Sequence, residues 1–317
     1  MLRDNFRLSV GNYESSVSTA ERTFSEKIRS DKWEIGFVSH LPRELLEKDE
    51  IVVQVIRYRN KNSFLADPFG IKYNGKRYIV CEEFDYYSAT GNIVVGTLID
   101  GEFNKIADLY SDGVHRSYPF PIQFGGRSYF VPEQCATNTV TLYELSDPEH
   151  AIPVADLLIN FAAMDSTLFQ YDGLWWLFAS SREDGAGGAN LHLFYSEDLF
   201  GGYKAHPKNP VVTSLGSARP AGGLFFDSFS RIIRPGQDCR STYGGAVTFN
   251  VINEISVSDY CEKPILSLSG SQRSIAGVHT VNSYGKKESL IDCKSREIRS
   301  DALIGRIGRR IRQSIVR

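Results

Sequence analysis

The segment ADPFGIKYNGKRYIVCEEF, residues 66–84, decides the fold class of this chain. It reads as a short strand, a turn at Asn74-Gly75 and a second short strand. Asn-Gly is strongly preferred in two-residue hairpin loops, because both central positions need a positive φ. The segment therefore predicts a tight β-hairpin.

The same hairpin recurs along the chain. Close copies are SYPFPIQFGGRSYFVPEQ at 117–134 and MDSTLFQYDGLWWLFASS at 164–181, and looser copies lie at 218–239 and 279–293. Measured between first-strand residues, the intervals between copies are 51, 47, 54 and 60 residues. A period of about 50 residues filled with short strands and turns is typical of a β-propeller, with one four-stranded blade per repeat.

The predicted fold class is all-β, a five-bladed β-propeller with a short C-terminal amphipathic helix. The propeller spans 33–293, after an N-terminal extension at 1–32 and before a tail at 294–317. Strand 33–40 is expected to complete the last blade and close the ring. A β-sandwich is the alternative, but a sandwich has no reason to repeat one hairpin at a fixed interval.

The hairpin turns also predict which side chains meet. In a two-residue hairpin the numbers of opposed residues have a constant sum, so Asp67 should oppose Glu82 and Tyr118 should oppose Glu133. By the same count Asp165 opposes Ser180. Opposed side chains project from the same face of a sheet, about 5 Å apart. Since the first strand of each blade lines the central channel, these polar groups are predicted at one rim of that channel.

The predicted rim combines carboxylates with cations. Its members are Asp67, Glu82, Tyr118, Glu133, Asp165, Arg219, Arg234 and His279, with Glu83, Arg116, Gln237 and Asp238 beside them. Taken singly, each residue is equally well explained as a solvated strand end or a hydrogen-bonded plug between blades. As a set they favour a functional site, because crowded carboxylates raise each other's pKa and such clusters usually serve chemistry.

The recurring motifs carry a family resemblance. ADPF at 66–69 and MDSTLFQYDGLWWLF at 164–178 resemble the Asp motifs of five-bladed propeller glycosidases, the arabinanase, β-xylosidase and fructosidase clans. The hairpins above, with SARPAGGLFF, IIRPGQDC and HTVN, are more similar to the N-terminal propeller domain of glucosamine inositolphosphorylceramide transferases and its bacterial relatives. The resemblance covers about residues 60–293 and implies carbohydrate chemistry. The glycosidases carry their carboxylates on three successive blades, whereas here blade two offers Tyr118 with Glu133.

Three functions remain open at this point. The first is glycosyl transfer in cell-surface glycan or glycolipid assembly, with a sugar nucleotide, sugar phosphate or glycan as ligand. Arg219 and Arg234 would hold its anionic group, since planar guanidinium suits phosphate, unless each merely neutralises a carboxylate. The second is glycoside hydrolysis, in which Asp67 serves as base or nucleophile, Glu133 as acid and Asp165 as modulator. The third is a non-catalytic propeller that binds glycans or docks a partner.

Composition excludes several classes of protein. The 317 residues hold 36 basic and 38 acidic side chains, so the net charge of −2 offers no basic surface for nucleic acid. Five scattered cysteines form no metal-binding pair, and we predict neither a metal site nor a cofactor. The sequence begins without an apolar leader, and the odd number of cysteines favours reduced thiols, so a cytoplasmic location is expected.

The tail at 294–317 differs from the rest because it is strongly basic. Ile304, Ile307, Ile311 and Ile315 recur at helical spacing among its arginines. A basic amphipathic helix can lie on an anionic membrane surface, which would place the protein at the inner membrane face. The alternatives are a helix packed on the propeller and a frayed tail.

Overall fold

The computed structural model describes residues 5–15, 29–181, 188–270 and 275–298, and in these ranges the protein is all-β with curled sheets. The helical elements of these described ranges are α1, Pro42–Leu45, and a 3₁₀ turn at Cys135–Thr137. The first eleven strands are β1 Phe6–Asn12, β2 Arg29–Val38, β3 Glu50–Val55, β4 Ser63–Tyr73, β5 Lys76–Asp85, β6 Thr90–Ile99, β7 Glu102–Asp108, β8 Ser117–Phe124, β9 Arg127–Glu133, β10 Thr139–Asp147 and β11 His150–Ile159. The remaining strands are β12 Ala163–Tyr171, β13 Leu174–Ser181, β14 Asn190–Ser196, β15 Lys204–Ala205, β16 Val212–Thr213, β17 Phe225–Phe226, β18 Ile232–Asp238, β19 Ala246–Ile255, β20 Tyr260–Gly270, β21 Gly277–Tyr284 and β22 Glu288–Ile298.

The described strands form four sheets by hydrogen bonding. Two of these sheets have the orders β4-β5-β6-β7 and β8-β9-β10-β11. A third has the order β12-β13-β14-β15, with β16 also paired to β14. The fourth has nine strands in the order β17-β18-β19-β20-β1-β3-β2-β22-β21. The predicted division into five blades is therefore not confirmed, because β1 pairs with both β20 and β3 and joins their strands into one sheet.

The first and last of the described strands both belong to this nine-stranded sheet. Strand β1 lies in the segment that the sequence assigned to an N-terminal extension, and it is hydrogen-bonded on both edges. Strand β2 pairs with β22 along its whole length, from Arg29 opposite Ile298 to Val38 opposite Ser289. Residues 294–298 are therefore the end of a strand, not the start of the predicted helix. The rest of that predicted helix, 299–317, lies outside the described residues.

The hydrophobic core lies between the sheets and surrounds their first strands. Strands β21, β4, β8 and β12 contact one another in that order. Phe130, Leu142 and Leu177 are fully buried in a cluster between the sheets that begin with β4, β8 and β12. Leu8 and Phe249 are equally buried within the nine-stranded sheet's cluster. The first strands are buried on both faces, so their polar residues lie at the centre of the molecule.

A repeated β-bulge changes the predicted pairing inside the hairpins. Glu82 faces Ala66 instead of Asp67, and the two later hairpins show the same one-residue shift: Glu133 faces Ser117, and Ser180 faces Met164. The turn count was wrong at these positions because it assumed unbroken ladders, whereas each first strand holds an extra residue there. Nearer the turns the count is right, as in Phe69 opposite Val80.

The bulge residues adopt a backbone conformation unusual for side chains other than glycine. The φ angles are 49° at Asp67, 45° at Tyr118 and 54° at Asp165. A bulge also occurs in β21, where His279 and Thr280 together face a single residue, Asp292, of β22. A non-glycine residue at positive φ persists only where its surroundings hold it, and such strain concentrates at functional sites.

No helix in the described ranges is long and apolar enough to cross a membrane.

Candidate functional site

A cavity of about 220 Å³ opens beside the β4–β5 and β8–β9 hairpins, at the end of each hairpin that is remote from its turn. We call it the mouth cavity. Its polar lining is contributed by β5, β8, β9, β21 and the loops between sheets, and its aromatic lining by β2, β4 and β5. The lining residues are Trp33, Phe64, Ala66, Glu82, Phe84, His115, Ser117, Glu133, Arg219, Tyr243 and His279.

The bulges link neighbouring first strands beneath the mouth cavity. The backbone N–H of Asp67 donates to Oδ2 of Asp292 at 2.9 Å, across the contact between β4 and β22. Oδ2 of Asp67 in turn accepts a hydrogen bond of 3.2 Å from the backbone N–H of Tyr118 on β8. Each carboxylate therefore accepts the N–H that the next bulge leaves unpaired in its ladder, which explains why these buried positions are acidic.

Asp165 and Glu133 form a second linked pair around Arg219. The backbone N–H of Asp165 donates to Oε2 of Glu133 at 3.1 Å. The guanidinium of Arg219 donates through Nε to Asp165, and its Nη2 lies 3.3 Å from Oε2 of Glu133. Gln237 donates to the same Oδ2 of Asp165 at 2.8 Å. Arg219 therefore lines the cavity while its guanidinium binds two carboxylates, those of Asp165 and Glu133.

His279 occupies the corresponding place on the other side of the cavity. Its Nδ1 lies 2.9 Å from Oδ1 of Asp67 and 3.3 Å from Oδ2 of Asp292. Its Nε2 is 2.7 Å from the hydroxyl of Tyr243, and its ring packs against Trp33 with centroids 4.7 Å apart. Burial alone would lower the pKa of His279, but Tyr243, Asp67 and Asp292 together raise it well above its usual value. These neighbours therefore favour the protonated form of the imidazole.

Carboxylates outnumber cations around the mouth cavity. Burial is the largest cause that raises the pKa values of Asp67, Glu82 and Asp165, and neighbouring carboxylates add to it. The pKa of Asp165 rises to about 6 even though Arg219 and His279 lower it. With Glu133 and Asp292 the cluster holds five carboxyl groups against two cations, which leaves an excess of negative charge at neutral pH when all five are ionised.

Glu82 is a carboxylate on the cavity wall whose one contact with a cationic group in the described residues is a distant one, with His115. Its residue is 7% exposed and it lines the cavity, yet within the described part of the chain no donor hydrogen-bonds to it. His115 Nε2 lies 4.0 Å from its Oε1. Gly91 makes room for this carboxylate, because a Cβ at Gly91 would lie 2.0 Å from Oε1. A buried carboxylate without donors is costly unless a ligand supplies them.

Four of the residues predicted for the rim or beside it lie outside the mouth cavity in other contacts. Glu83 points to the opposite face of β5, where its carboxylate binds Ser63 at 2.6 Å and Lys105 at 2.9 Å. Arg234 is fully buried, and its Nε donates to Glu262 at 2.7 Å. The other two are Arg116, which binds both carboxylate oxygens of Asp112, and Asp238, which binds Arg240.

Tyr118 and Gln237 lie beneath the cavity and do not line it. The hydroxyl of Tyr118 is 2.8 Å from Oγ1 of Thr167 and accepts a 2.7 Å hydrogen bond from the backbone N–H of Gly222. Of the twelve candidates, the structure thus places Glu82, Glu133, Arg219 and His279 on the wall and Asp67, Asp165, Tyr118 and Gln237 behind it.

Sequence reasoning missed several residues of the site. Asp292 had a signal, because the hairpin count applied to the fifth copy places it opposite Thr280, the residue after His279. No sequence signal pointed to Trp33, His115 and Tyr243, since they lie on a strand distant in the chain and in loops. Asp67, His279 and Asp292 each offer one potential metal-ligand atom within 4.8 Å, although the sequence predicted no metal. The contacts fit an ion-paired cluster, in which a metal ion would have to displace the proton from Nδ1 of His279.

The fold defines a class of protein. An exo-β-1,3-galactanase from Clostridium thermocellum matches with a TM-score of 0.53 at 17% identity, covering 68% of this chain and 53% of that chain. A family 117 glycoside hydrolase from Zobellia galactanivorans matches with a TM-score of 0.50 at 15% identity, covering 86% and 92%. This protein therefore has a β-propeller-like fold related to that of glycoside hydrolases.

Sequence comparison assigns the family. The model described as "Glucosamine inositolphosphorylceramide transferase 1, N-terminal" matches residues 52–305, and this chain belongs to that family. Glucosamine inositolphosphorylceramide transferase 1 of Oryza sativa subsp. japonica is 34% identical over 212 residues, which are 64% of this chain. The Arabidopsis thaliana protein of the same name is 27% identical over 219 residues, or 67% of this chain. In both cases the match spans 28% of the relative's length.

Proposed function

We propose that this chain is a carbohydrate-binding propeller that serves glycosyl transfer in glycan or glycolipid assembly, with a sugar ring bound in the mouth cavity. The observation that carries the proposal is Glu82, a buried carboxylate that lines the cavity and has no donor in the described part of the chain. Sugar hydroxyls are donors of the kind it lacks. Trp33 and Phe64, which also line the cavity, offer apolar surface for a sugar face.

The charge of the site favours an amino sugar over an anionic one. Five carboxyl groups surround two cations, so a ligand that brings an ammonium group would restore the balance. The relatives' name includes glucosamine, which carries such a group. The anionic donor expected from the sequence has less support, because Arg234 is bound to Glu262 away from the cavity. Arg219 lines the cavity and already binds Asp165 and Glu133.

The five-bladed arrangement is also proposed. The nine-stranded sheet divides at β1 into β17-β18-β19-β20 and β21-β22-β2-β3, each with the four strands of a blade. With the three smaller sheets this makes five units, and a bulge at the same place in β4, β8, β12 and β21 supports their equivalence. In this arrangement β2 and β3 from the N-terminal part complete the last blade.

Glycoside hydrolysis is a second candidate, favoured by one observation. Glu82 and Glu133 both line the mouth cavity, and hydrolysis needs two carboxyl groups on either side of the glycosidic bond. Burial raises the pKa of Glu82 well above its usual value, as suits a general acid. Asp67, which the sequence assigned as base or nucleophile, is 1% exposed and paired with His279, so it would act through that imidazole.

Calorimetric titration with glucosamine, glucose, N-acetylglucosamine and glucuronic acid tests the proposal. We expect glucosamine to bind more tightly than glucose, and glucuronic acid to bind more weakly than either. Glu82→Gln should weaken glucosamine binding about tenfold, in line with the loss of a charge-assisted hydrogen bond. Glu83→Gln is the matched control, because Glu83 is the next residue on the same strand and faces away from the cavity. Equal binding of the parent and Glu82→Gln would overturn the proposal.

Activity assays separate catalysis from binding. Incubation with sugar nucleotides and a glycolipid acceptor should yield a transferred sugar if the chain itself catalyses transfer. Release of free sugar from aryl glycosides, lost in Glu133→Gln, would favour hydrolysis. Sugar binding without turnover would favour a non-catalytic propeller that presents a glycan to a partner. The cytoplasmic location, and attachment of the tail to a membrane, stay predictions from the sequence.

A further inference from the structure

A second cavity, of about 640 Å³, lies among the hairpin turns. We call it the turn-end cavity. It is formed where the hairpin of β4 and β5, the hairpin of β21 and β22 and strand β8 come together. The bulge at Asp67 and the turn at Asn74-Gly75 are seven residues apart on β4, which is about 23 Å of extended strand. The turn-end cavity is therefore separate from the mouth cavity and lies at the other end of the first strands.

Cations dominate the lining of the turn-end cavity. Lys72, Arg77, Lys286 and Lys287 line it, and Glu288 is the one carboxylate of its lining. The cavity therefore has a local excess of three positive charges, in a chain whose net charge is −2. A concentration of one charge sign in a concave surface raises the local concentration of ions of the opposite sign.

Among the described residues these cations also have no carboxylate partner, unlike several other surface cations. Within the described residues none of the four forms an ion pair, not even with Glu288 of the same lining. Exposed arginines elsewhere do pair, such as Arg7 with Glu50 at 2.6 Å and Arg127 with Glu144 at 3.2 Å. Four unpaired cations around one cavity repel each other, and a bound anion would remove that repulsion.

Arg77 is held in position for such an anion. Its guanidinium lies 4.9 Å from the ring centroid of Tyr284, in a cation–π contact. Gly285 permits this placement, because a Cβ there would lie 1.7 Å from Nη1 of Arg77. Gly285 also has a φ of 75°, which the turn between β21 and β22 requires. An ordered guanidinium loses less conformational freedom when it binds an anion.

We propose that the turn-end cavity binds a phosphate group of a polyvalent anion. The guanidinium of Arg77 would contact two phosphate oxygens, and the ammonium groups of Lys72, Lys286 and Lys287 would neutralise the remaining charge. The phosphate could belong to a lipid headgroup at a membrane surface or to a soluble phosphorylated ligand. Both sources present the same chemistry to the four cations, and the experiment separates them.

The experiment uses the full chain and two kinds of probe. Calorimetry measures the affinity for pyrophosphate, and co-sedimentation measures binding to phosphatidylcholine vesicles with and without phosphatidylinositol phosphate. We expect binding to at least one phosphate probe, and a weaker affinity at higher salt concentration. Lys286→Gln/Lys287→Gln should weaken that binding roughly tenfold, at about threefold per removed charge. Glu288→Gln should strengthen it, because it removes the cavity's carboxylate.

The controls make either result decisive. Lys204→Gln/Lys208→Gln removes the same amount of charge from another exposed region and should leave phosphate binding unchanged. The basic tail is common to all variants, so differences between them report on the turn-end cavity alone. Binding to vesicles but not to pyrophosphate would identify a lipid headgroup as the source, and the reverse would identify a soluble ligand. No binding of either probe, equal binding by Lys286→Gln/Lys287→Gln, or equal affinity for polyglutamate would overturn the proposal.

Discussion

The imidazole Nδ1 of His279 lies 2.9 Å from Oδ1 of Asp67, and both residues lie in the bulges of their strands. Strands β21 and β4 belong to different sheets, so this contact ties the nine-stranded sheet to the sheet of β4 at the centre of the molecule. Asp292 shares the imidazole and also accepts the backbone N–H of Asp67. The candidate site therefore rests on bonds that also hold neighbouring sheets together.

Glu82→Gln should stabilise the protein while it weakens sugar binding. The folded-state pKa of Glu82 is raised above its ordinary value of 4.5, by burial first and then by Asp67. A carboxyl group with a raised pKa contributes stability below its unfolded-state pKa and loses it as the pH rises towards the folded-state pKa. The variant lacks this loss, so its advantage in melting temperature should grow from pH 5 to pH 8. A variant less stable than the parent at pH 8 would contradict the raised pKa of Glu82 and its lack of hydrogen-bond donors in the described residues.

Asp165 should make the free energy of unfolding depend on pH between its unfolded-state and folded-state pKa values. Its pKa rises from 3.8 to about 6, so between these values the folded protein binds more protons than the unfolded chain. The free energy of unfolding should therefore fall by about 3 kcal/mol as the pH rises through this window. Urea unfolding of the parent and of Asp165→Asn at several pH values measures the effect. We expect the difference between the two to shrink from pH 4 to pH 6, and a constant difference would count against the shift.

Tyr118→Phe should destabilise the fold through a single lost hydroxyl. That hydroxyl accepts the backbone N–H of Gly222 at 2.7 Å and contacts Oγ1 of Thr167 at 2.8 Å, in a fully buried place. Without it the Gly222 N–H stays buried and unpaired, which costs about 1–3 kcal/mol. Chemical denaturation measures the change. Tyr87→Phe, at a residue that is 73% exposed, should change stability little, and the same loss in both variants would contradict the assigned contact.

Arg234 and Arg219 should differ in what they support. Arg234 is fully buried away from the mouth cavity, so Arg234→Met leaves Glu262 as an unpaired charge and should cost about 3–5 kcal/mol of stability. The double variant Arg234→Met/Glu262→Leu should recover much of that loss, since neither charge remains. Sugar affinity of the folded double variant should equal that of the parent, whereas Arg219→Met should change it. A loss of sugar binding on removing the Arg234 pair would show that the pair also shapes the cavity.

The sequence predicted the positions of several candidate residues along the strands, but not which side chains they contact. Hairpin turns such as Asn74-Gly75 placed Glu82 and Glu133 at one end of the first strands, and both line the mouth cavity. The same reasoning placed Arg234 there as a residue that could oppose Arg219 across the fourth hairpin, yet Arg234 binds Glu262. Which of two similar arginines faces the centre depends on how β18 packs, and no local pattern in the sequence reports that.

Turn chemistry and the spacing of the repeated hairpins determined, from the sequence alone, that this protein is all-β with short antiparallel strands. These features are local, since a two-residue turn and the strands beside it depend on a few neighbouring residues. The tertiary structure alone decided the one-residue shift at each bulge, the joining of two groups of strands by β1, and the pairing of His279 with Asp67. These contacts join segments that are distant in the chain, so their energies depend on packing and burial that only the folded molecule creates.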